Sequence, residues 1–425
     1  MRHAWGPGPR GKVTRVAPAD GDPPHLKPGS STAAVHAGSE QARPWPRGLM
    51  TPVFQSSTYE LDETIYEDIA RTGGAESWWY SRLSNPTVDA VAAKVAVLEG
   101  AEAGLAFGSG MAAITSTVVA LTPLGGRIVA ARQLYGETYT LFGDTLPDAG
   151  RTVTFVDIAD LEGWRRELSG AAVAYVETLS NPTLRVADLP AIAGLAREAG
   201  ATTIVDSTFA SPVNVRPIEH GFDLVLHSAT KYLNGHSDLT AGVVVGSRAR
   251  INKVKTLAKT FGGVLAPAAA ATLDRSLKTL VLRMQRHNYN ALALARWLEE
   301  HPEIEAVFYP MLESHPDATL ASALLRGGSG IVTLRVSGGD ERAGALMYAL
   351  RLIRQATSLG GVESLISAPY NTSHRQLDAD ERSAIGILPG TLRLSVGIEE
   401  AGDLIGDLDQ ALAATAVATE GLPAR

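Results

Sequence analysis

Short apolar runs, rich in β-branched residues, recur through the middle of the chain at 128–130, 153–156, 172–176, 203–205, 224–226 and 243–245. Runs this short without strict alternation read as strands buried on both faces. Between the third and fourth, Asp188 precedes a segment whose Ile192, Leu195, Ala196 and Ala199 share one helical face, and Gly200 follows it. That is a helix with an N-cap and a left-handed stop. Strands alternating with helices predict an α/β domain built on a mostly parallel sheet covered on both faces.

The flanks read differently. Residues 31–79 mix Pro, Gly and aromatics without a sustained period. An irregular segment that long is uncommon in a compact domain unless it is functional or packed on a partner. Residues 31–80 are therefore expected to form an arm reaching a neighbouring subunit. Val88, Val91, Val95 and Leu98 then mark a helix, and Gly108-Ser109-Gly110-Met111 opens the next one directly. A single long helix is expected over 274–300, carrying the chain from a large domain, 81–273, into a smaller α+β unit, 274–425. In that unit Val332, Leu334 and Val336 alternate, as do Leu392, Leu394 and Val396. A period of two puts Arg393 opposite the apolar face, where it receives a carboxylate or forms a surface ion pair, the commoner fate of a strand arginine.

Composition narrows the function classes. The chain has 425 residues, 45% hydrophobic and 20% charged, enough for two or three globular domains. A formal net charge of −7 offers no basic face to nucleic acid or anionic membrane. The absence of cysteine excludes disulfides, thiolate nucleophiles and Cys-ligated zinc, and no metal site is expected. Residues 1–30 are Pro- and Gly-rich without the apolar segment of a signal peptide, and read as a disordered extension. The least polar stretch, 103–131, is broken by glycines and Pro123 and reads as buried helix and strand. A soluble, cytoplasmic protein is expected.

The candidate chemistry sits at strand ends. The run 224–226 leads into His227-Ser228-Ala229-Thr230-Lys231, and the run 203–205 ends at Asp206. Ligands of open parallel sheets bind outside the carboxyl ends of the strands, so Asp206 and Lys231 should share one crevice. A lysine able to form an imine, hydroxyls for a phosphate, and an acid that keeps a pyridine nitrogen protonated are what pyridoxal phosphate requires. Gly108 and Gly110 let backbone N–H groups approach an anion, and Tyr80 with Arg82 can add a phenol and a charged fork. Neither GxGxxG nor GxxxxGK[ST] occurs, which removes the main support for dinucleotide or nucleoside-triphosphate binding.

Tyr80-Ser81-Arg82, Ser109-Gly110-Met111, Glu177-Thr178 with Asn181-Pro182, Asp206, Ser228-Ala229-Thr230-Lys231, Ser358-Leu359-Gly360-Gly361 and Arg393-Leu394-Ser395-Val396-Gly397 follow one another in that order. With these motifs the chain resembles, over about residues 31–412, the transsulfuration or Cys/Met-metabolism family of pyridoxal-phosphate enzymes. That family includes cystathionine γ-synthase, the cystathionine lyases and methionine γ-lyase. The resemblance implies fold type I, the aspartate-aminotransferase-like α/β architecture, and a homotetramer made of two catalytic dimers. It also implies γ-elimination or γ-replacement on a sulfur-containing or O-activated amino acid, through a vinylglycine-type intermediate.

Residue by residue, the resemblance implies that Lys231 is the Schiff-base lysine and proton shuttle, Asp206 the partner of the pyridine nitrogen, and Tyr135 the catalytic tyrosine stacked on the ring. Gly110, Met111, Ser228 and Thr230 match the phosphate cup, Tyr80 and Arg82 its contacts from the neighbouring subunit, and Asn181 the residue near the phenolic oxygen. Ser358 and Arg393 match the substrate-carboxylate site. Glu137 stands where methionine-cleaving members place a cysteine, and Tyr370 departs from a His-Pro-Ala pattern, so both are candidate substrate contacts. Trp78 and Trp79 with Tyr370 and Glu137 would suit a flat cation such as S-adenosylmethionine in a γ-replacement or C–C bond-forming reaction. Tryptophans near an interface are more often packing anchors.

Overall fold

A computed structural model describes residues 29–38, 48–74, 77–375 and 378–416, so the expected extension over 1–30 lies almost wholly outside the described residues. The large sheet contains β1 (Ala103–Phe107), β2 (Arg127–Ala131), β3 (Thr152–Val156), β4 (Val173–Glu177), β5 (Thr202–Asp206), β6 (Leu224–His227) and β7 (Gly242–Gly246). Their order is β1-β7-β6-β5-β4-β2-β3. The strands from β6 to β3 run parallel, while β7 is antiparallel to both β6 and β1. Every residue of β4, β6 and β7 is buried, which explains their unbroken apolar runs. Asp188 accepts the Ala191 N–H and caps the helix Leu189–Ala199, which Gly200 ends at φ 73°.

Two features depart from the sequence reading. Strand β1 separates the helices Pro86–Glu99 and Gly110–Leu121, which were expected to adjoin. Its sequence, Ala-Gly-Leu-Ala-Phe, carries no β-branched residue, and pairing with β7 makes it a strand. The expected long helix is two helices, Pro267–Leu277 and Leu280–Glu299. The buried Arg283 guanidinium fixes the break, donating to the carbonyls of Tyr232, Leu233 and Ser276, while its Nε donates to Thr279 Oγ1.

The smaller sheet holds β8 (Ile304–Phe308), β9 (Ile331–Val336), β10 (Arg354–Gln355), β11 (Leu365–Ser367) and β12 (Thr391–Ser395), in the order β10-β11-β12-β9-β8. Leu392, Leu394 and Val396 share a second core with Val332, Leu334 and Val336. Arg393 and its cross-strand partner Thr333 occupy the other face, where Thr333 Oγ1 donates to the Pro182 carbonyl at 2.6 Å. The helix Leu280–Glu299 belongs to both halves: Leu280, Val281 and Met284 lie in the large core, and Ala291, Leu294, Ala295 and Leu298 in the small one.

The segment expected to be irregular contains two helices, Ser30–His36 and Glu63–Thr72. The first lies on its own chain, with Ala33 and Ala34 buried and Ser30 Oγ accepting from Arg216 at 2.7 Å. Farther on, Leu49, Met50, Val53 and Tyr66 are exposed. Among the described residues no helix is long and apolar enough to cross a membrane.

Candidate active site

A cavity of about 580 Å³ opens at the carboxyl ends of β4, β5 and β6, and the smaller unit closes its far side with Ser358 and Arg393. The turn after β6 is tied to the start of β7, where Ala241 N–H donates to Thr230 Oγ1 and Thr230 Oγ1 donates to the Ala241 carbonyl. Lys231 leaves that turn with Nζ donating to Ser358 Oγ at 2.8 Å. Burial, and after it the Arg393 charge, pull the Lys231 amine from its ordinary 10.5 down to about 8.

Glu177 ends β4 and Asp206 ends β5, and the two are cross-strand neighbours on the cavity wall. Asp206 Oδ1 accepts the Thr208 N–H at 2.8 Å, and Glu177 Oε1 accepts the Tyr135 N–H at 2.7 Å. Burial pushes both carboxyls up, and the Asp206 charge adds to the rise at Glu177. Behind Asp206, His227 Nε2 lies 2.6 Å from Glu99 Oε1, with both side chains buried.

At the other end the helix Gly110–Leu121 begins, capped by Ser109, whose hydroxyl accepts the Ala112 N–H at 3.1 Å. A Cβ on Gly110 would lie 2.9 Å from that of Ser228, so only glycine lets the helix start meet the lysine turn. Met111, Ser228 and Thr230 line the cavity there, giving an anion hydroxyls and the positive end of a helix.

Arg393 is buried, and among the described residues it has no carboxylate partner. Its Nη1 donates to Asn181 Oδ1 at 3.1 Å and its Nη2 to the Ser358 carbonyl at 3.0 Å, while Nε has no hydrogen-bond partner among the described residues. Burial lowers its pKa to about 10. An amine, a buried carboxylate, an anion cradle and an unneutralised guanidinium around one cavity fit pyridoxal phosphate together with an amino-acid carboxylate.

Of the sequence candidates, Gly110, Met111, Tyr135, Asn181, Asp206, Ser228, Thr230, Lys231, Ser358 and Arg393 line this cavity. Tyr80 and Arg82 do not: Arg82 Nη1 donates to the Lys259 carbonyl, and its guanidinium carbon lies 5.6 Å from the Tyr80 ring centre. Glu137 is exposed on the helix Gly136–Thr140, and Tyr370 packs against the small core, both outside the cavity. Trp78 Nε1 donates to Asp89 Oδ2 at 2.8 Å, and Trp79 packs against Gly74, so neither tryptophan reaches it. The sequence reading did not single out Glu177, Thr208 or Arg375 as site residues, although all three line the wall. Glu177 ends an apolar strand run as Asp206 does, and that shared position was the available signal.

Comparison with known proteins agrees with the geometry. The family model for Cys/Met metabolism PLP-dependent enzymes matches residues 31–413. L-methionine γ-lyase of Pseudomonas putida is 41% identical over 394 residues, covering 92% of this chain and 98% of that protein. Cystathionine β-lyase of Coxiella burnetii is 40% identical, covering 90% and 97%. The crystal structure of cystathionine γ-synthase from Xanthomonas oryzae pv. oryzae superposes with a TM-score of 0.86 at 34% identity, covering 91% and 98%. The fold is pyridoxal-phosphate fold type I, the cofactor is pyridoxal 5′-phosphate, and the chain belongs to the Cys/Met metabolism family of PLP-dependent enzymes.

Proposed function

We propose that the enzyme catalyses γ-elimination or γ-replacement on an amino acid bearing sulfur or activated oxygen at Cγ. The observation that carries this reading is Lys231 Nζ, half-buried and 2.8 Å from Ser358 Oγ, with its pKa pulled to about 8. Such an amine is partly neutral near neutral pH and serves as a base. Bound in the cavity, pyridoxal phosphate supplies an electron sink for the bond broken at Cα. Lys231 would hold its aldehyde carbon, Asp206 its ring nitrogen, Tyr135 its ring face, Asn181 its phenolic side, and the stretches around Gly110, Met111, Ser228 and Thr230 its phosphate.

Lys231 Nζ would take the substrate's α-proton and carry protons between substrate carbons. Arg393 receives the α-carboxylate, with Ser358 holding the lysine beside it. Tyr80 and Arg82, outside the cavity of their own chain, serve the phosphate of a neighbouring subunit in a homotetramer built from catalytic dimers. The sulfonium alternative is not favoured: Glu137 and Tyr370 stand outside the cavity, and the Trp78 indole is engaged by Asp89 of its own chain.

The test is a panel of methionine, cystathionine and O-acylhomoserines, each with and without an added thiol. Release of 2-oxobutanoate reports elimination and a new amino acid reports replacement. Lys231→Ala should abolish both and lose the covalently held yellow cofactor; full turnover by that variant would overturn the reading.

A further inference from the structure

Two guanidinium groups line the cavity. Arg393 lies at its floor, 5% exposed, and is held by Asn181 and the Ser358 carbonyl. Arg375 lines the same cavity from the loop after Tyr370, and it is exposed. Among the described residues its side chain makes no hydrogen bond and no ion pair.

The loop beneath Arg375 is pinned. Thr372 Oγ1 donates to the Ala368 carbonyl at 2.7 Å, and His374 N–H to the Pro369 carbonyl at 3.0 Å. The His374 ring is buried, with Nδ1 2.9 Å from Ser373 Oγ. Arg375 therefore leaves a fixed turn. Its neighbours on the cavity wall are Asn371, Thr372 and Ser373, all uncharged.

The charges of the wall are unbalanced. Among the described residues its only carboxylates are Glu177 and Asp206, both at strand ends, against Lys231, Arg393 and Arg375. In the proposed reaction the cofactor phosphate goes to the helix start at Gly110 and the α-carboxylate to Arg393. Arg375 is left as a planar donor fork without an anion, in a cleft that concentrates field lines from one sign of charge.

Resting on that reading of the reaction, we propose that Arg375 recognises the γ-substituent, and that the preferred substrates carry a second negative charge beyond Cγ. The chemistry is an oxyanion matched to a guanidinium fork, either a carboxylate or a phosphate.

The test measures kcat and KM of the holoenzyme for O-succinyl-, O-phospho- and O-acetylhomoserine and for methionine. The wild type should favour an anionic ester, and the succinyl and phospho arms tell which oxyanion it takes. Arg375→Ala should lower kcat/KM for that ester by about ten- to hundredfold, mainly through KM, as expected for loss of a charge-assisted hydrogen bond. Losses on acetylhomoserine and methionine should stay within about threefold, since neither carries a charge beyond Cγ. Arg375→Lys should recover part of the loss.

An arm free of turnover uses 2-aminoadipate and norleucine, equal in chain length and different in terminal charge. Read from the cofactor absorption, Arg375→Ala should weaken binding of 2-aminoadipate far more than of norleucine. Equal losses for charged and neutral compounds, or none, would overturn the role of Arg375 while leaving the proposed reaction intact. If the wild type converts none of these four substrates nor cystathionine, with or without an added thiol, the proposed reaction falls, and this inference with it.

Discussion

Lys231 and Ser358 come from opposite halves of the molecule and meet at 2.8 Å, the lysine Nζ donating to the serine Oγ. Ser358 holds that position at φ 78°, a left-handed backbone that costs a non-glycine residue roughly 1–2 kcal/mol. Ser358→Ala and Ser358→Gly both remove the hydroxyl, but only glycine relieves the backbone. Turnover should fall by a similar factor in both, about tenfold for one hydrogen bond to a charged group. Urea unfolding should find the glycine variant more stable by about 1 kcal/mol. Equal stabilities would show that the loop relaxes around alanine.

The depressed Lys231 pKa makes apoenzyme stability depend on pH in a definite direction. Folding into a site where the amine titrates near 8 instead of 10.5 penalises the charged form. The penalty is complete below about pH 8 and fades as pH rises toward 10.5, because there the unfolded chain binds more protons than the native one. Its full size is on the order of 3 kcal/mol. Lys231→Met removes the titration, so its stability advantage over wild-type apoenzyme should shrink across that window. A constant difference would mean that the amine is not perturbed in the folded chain.

Asp206→Asn keeps the shape of the side chain and removes its charge. Covalent attachment through Lys231 should persist, while turnover drops by roughly a hundredfold or more for loss of one preorganised electrostatic group. Absorbance of the purified variant checks the first half and initial rates the second. Wild-type rates in this variant would remove Asp206 from the chemistry.

If Tyr80 and Arg82 serve a neighbour, two inactive variants can complement each other. Arg82→Ala subunits mixed with Lys231→Ala subunits form some sites in which both groups are intact. Mixed dimers, verified by mass spectrometry, should regain a measurable part of the wild-type rate. No recovery would confine each site to one chain.

Away from the site, Lys94 Nζ lies 2.6 Å from Asp274 Oδ1 with both side chains buried, joining the helices Pro86–Glu99 and Pro267–Leu277. Asp274→Asn strands the ammonium and should destabilise the fold by about 3–5 kcal/mol. Replacing both partners, as Lys94→Met with Asp274→Leu, should recover most of that loss. Chemical denaturation of the single and double variants makes the comparison.

The meeting of Asp206 with Lys231 was legible because both close apolar strand runs, and a parallel sheet delivers all such ends to one edge. The direction of Glu137 was not. Tyr135 is the non-helical residue before the helix Gly136–Thr140 and Glu137 lies inside it, so nearness in sequence did not bring Glu137 to the cavity. The break at Lys278–Thr279 was invisible for another reason. Leu277, Leu280 and Met284 keep helical spacing across it, and the cause is Arg283 holding carbonyls of the distant 232–233 segment. Strand β1 likewise owes its form to β7 more than to its own residues.

The helix Leu280–Glu299 spans about 30 Å and is embedded at one end among the side chains of the large core and at the other among those of the small. A cut at residue 274 would leave a fragment displaying Leu280, Val281 and Met284 to water and a remainder with their sockets open. For anyone trimming, permuting or grafting this enzyme, its two sheets are therefore one indivisible cargo. The usable seams lie in exposed surface loops and not between the halves.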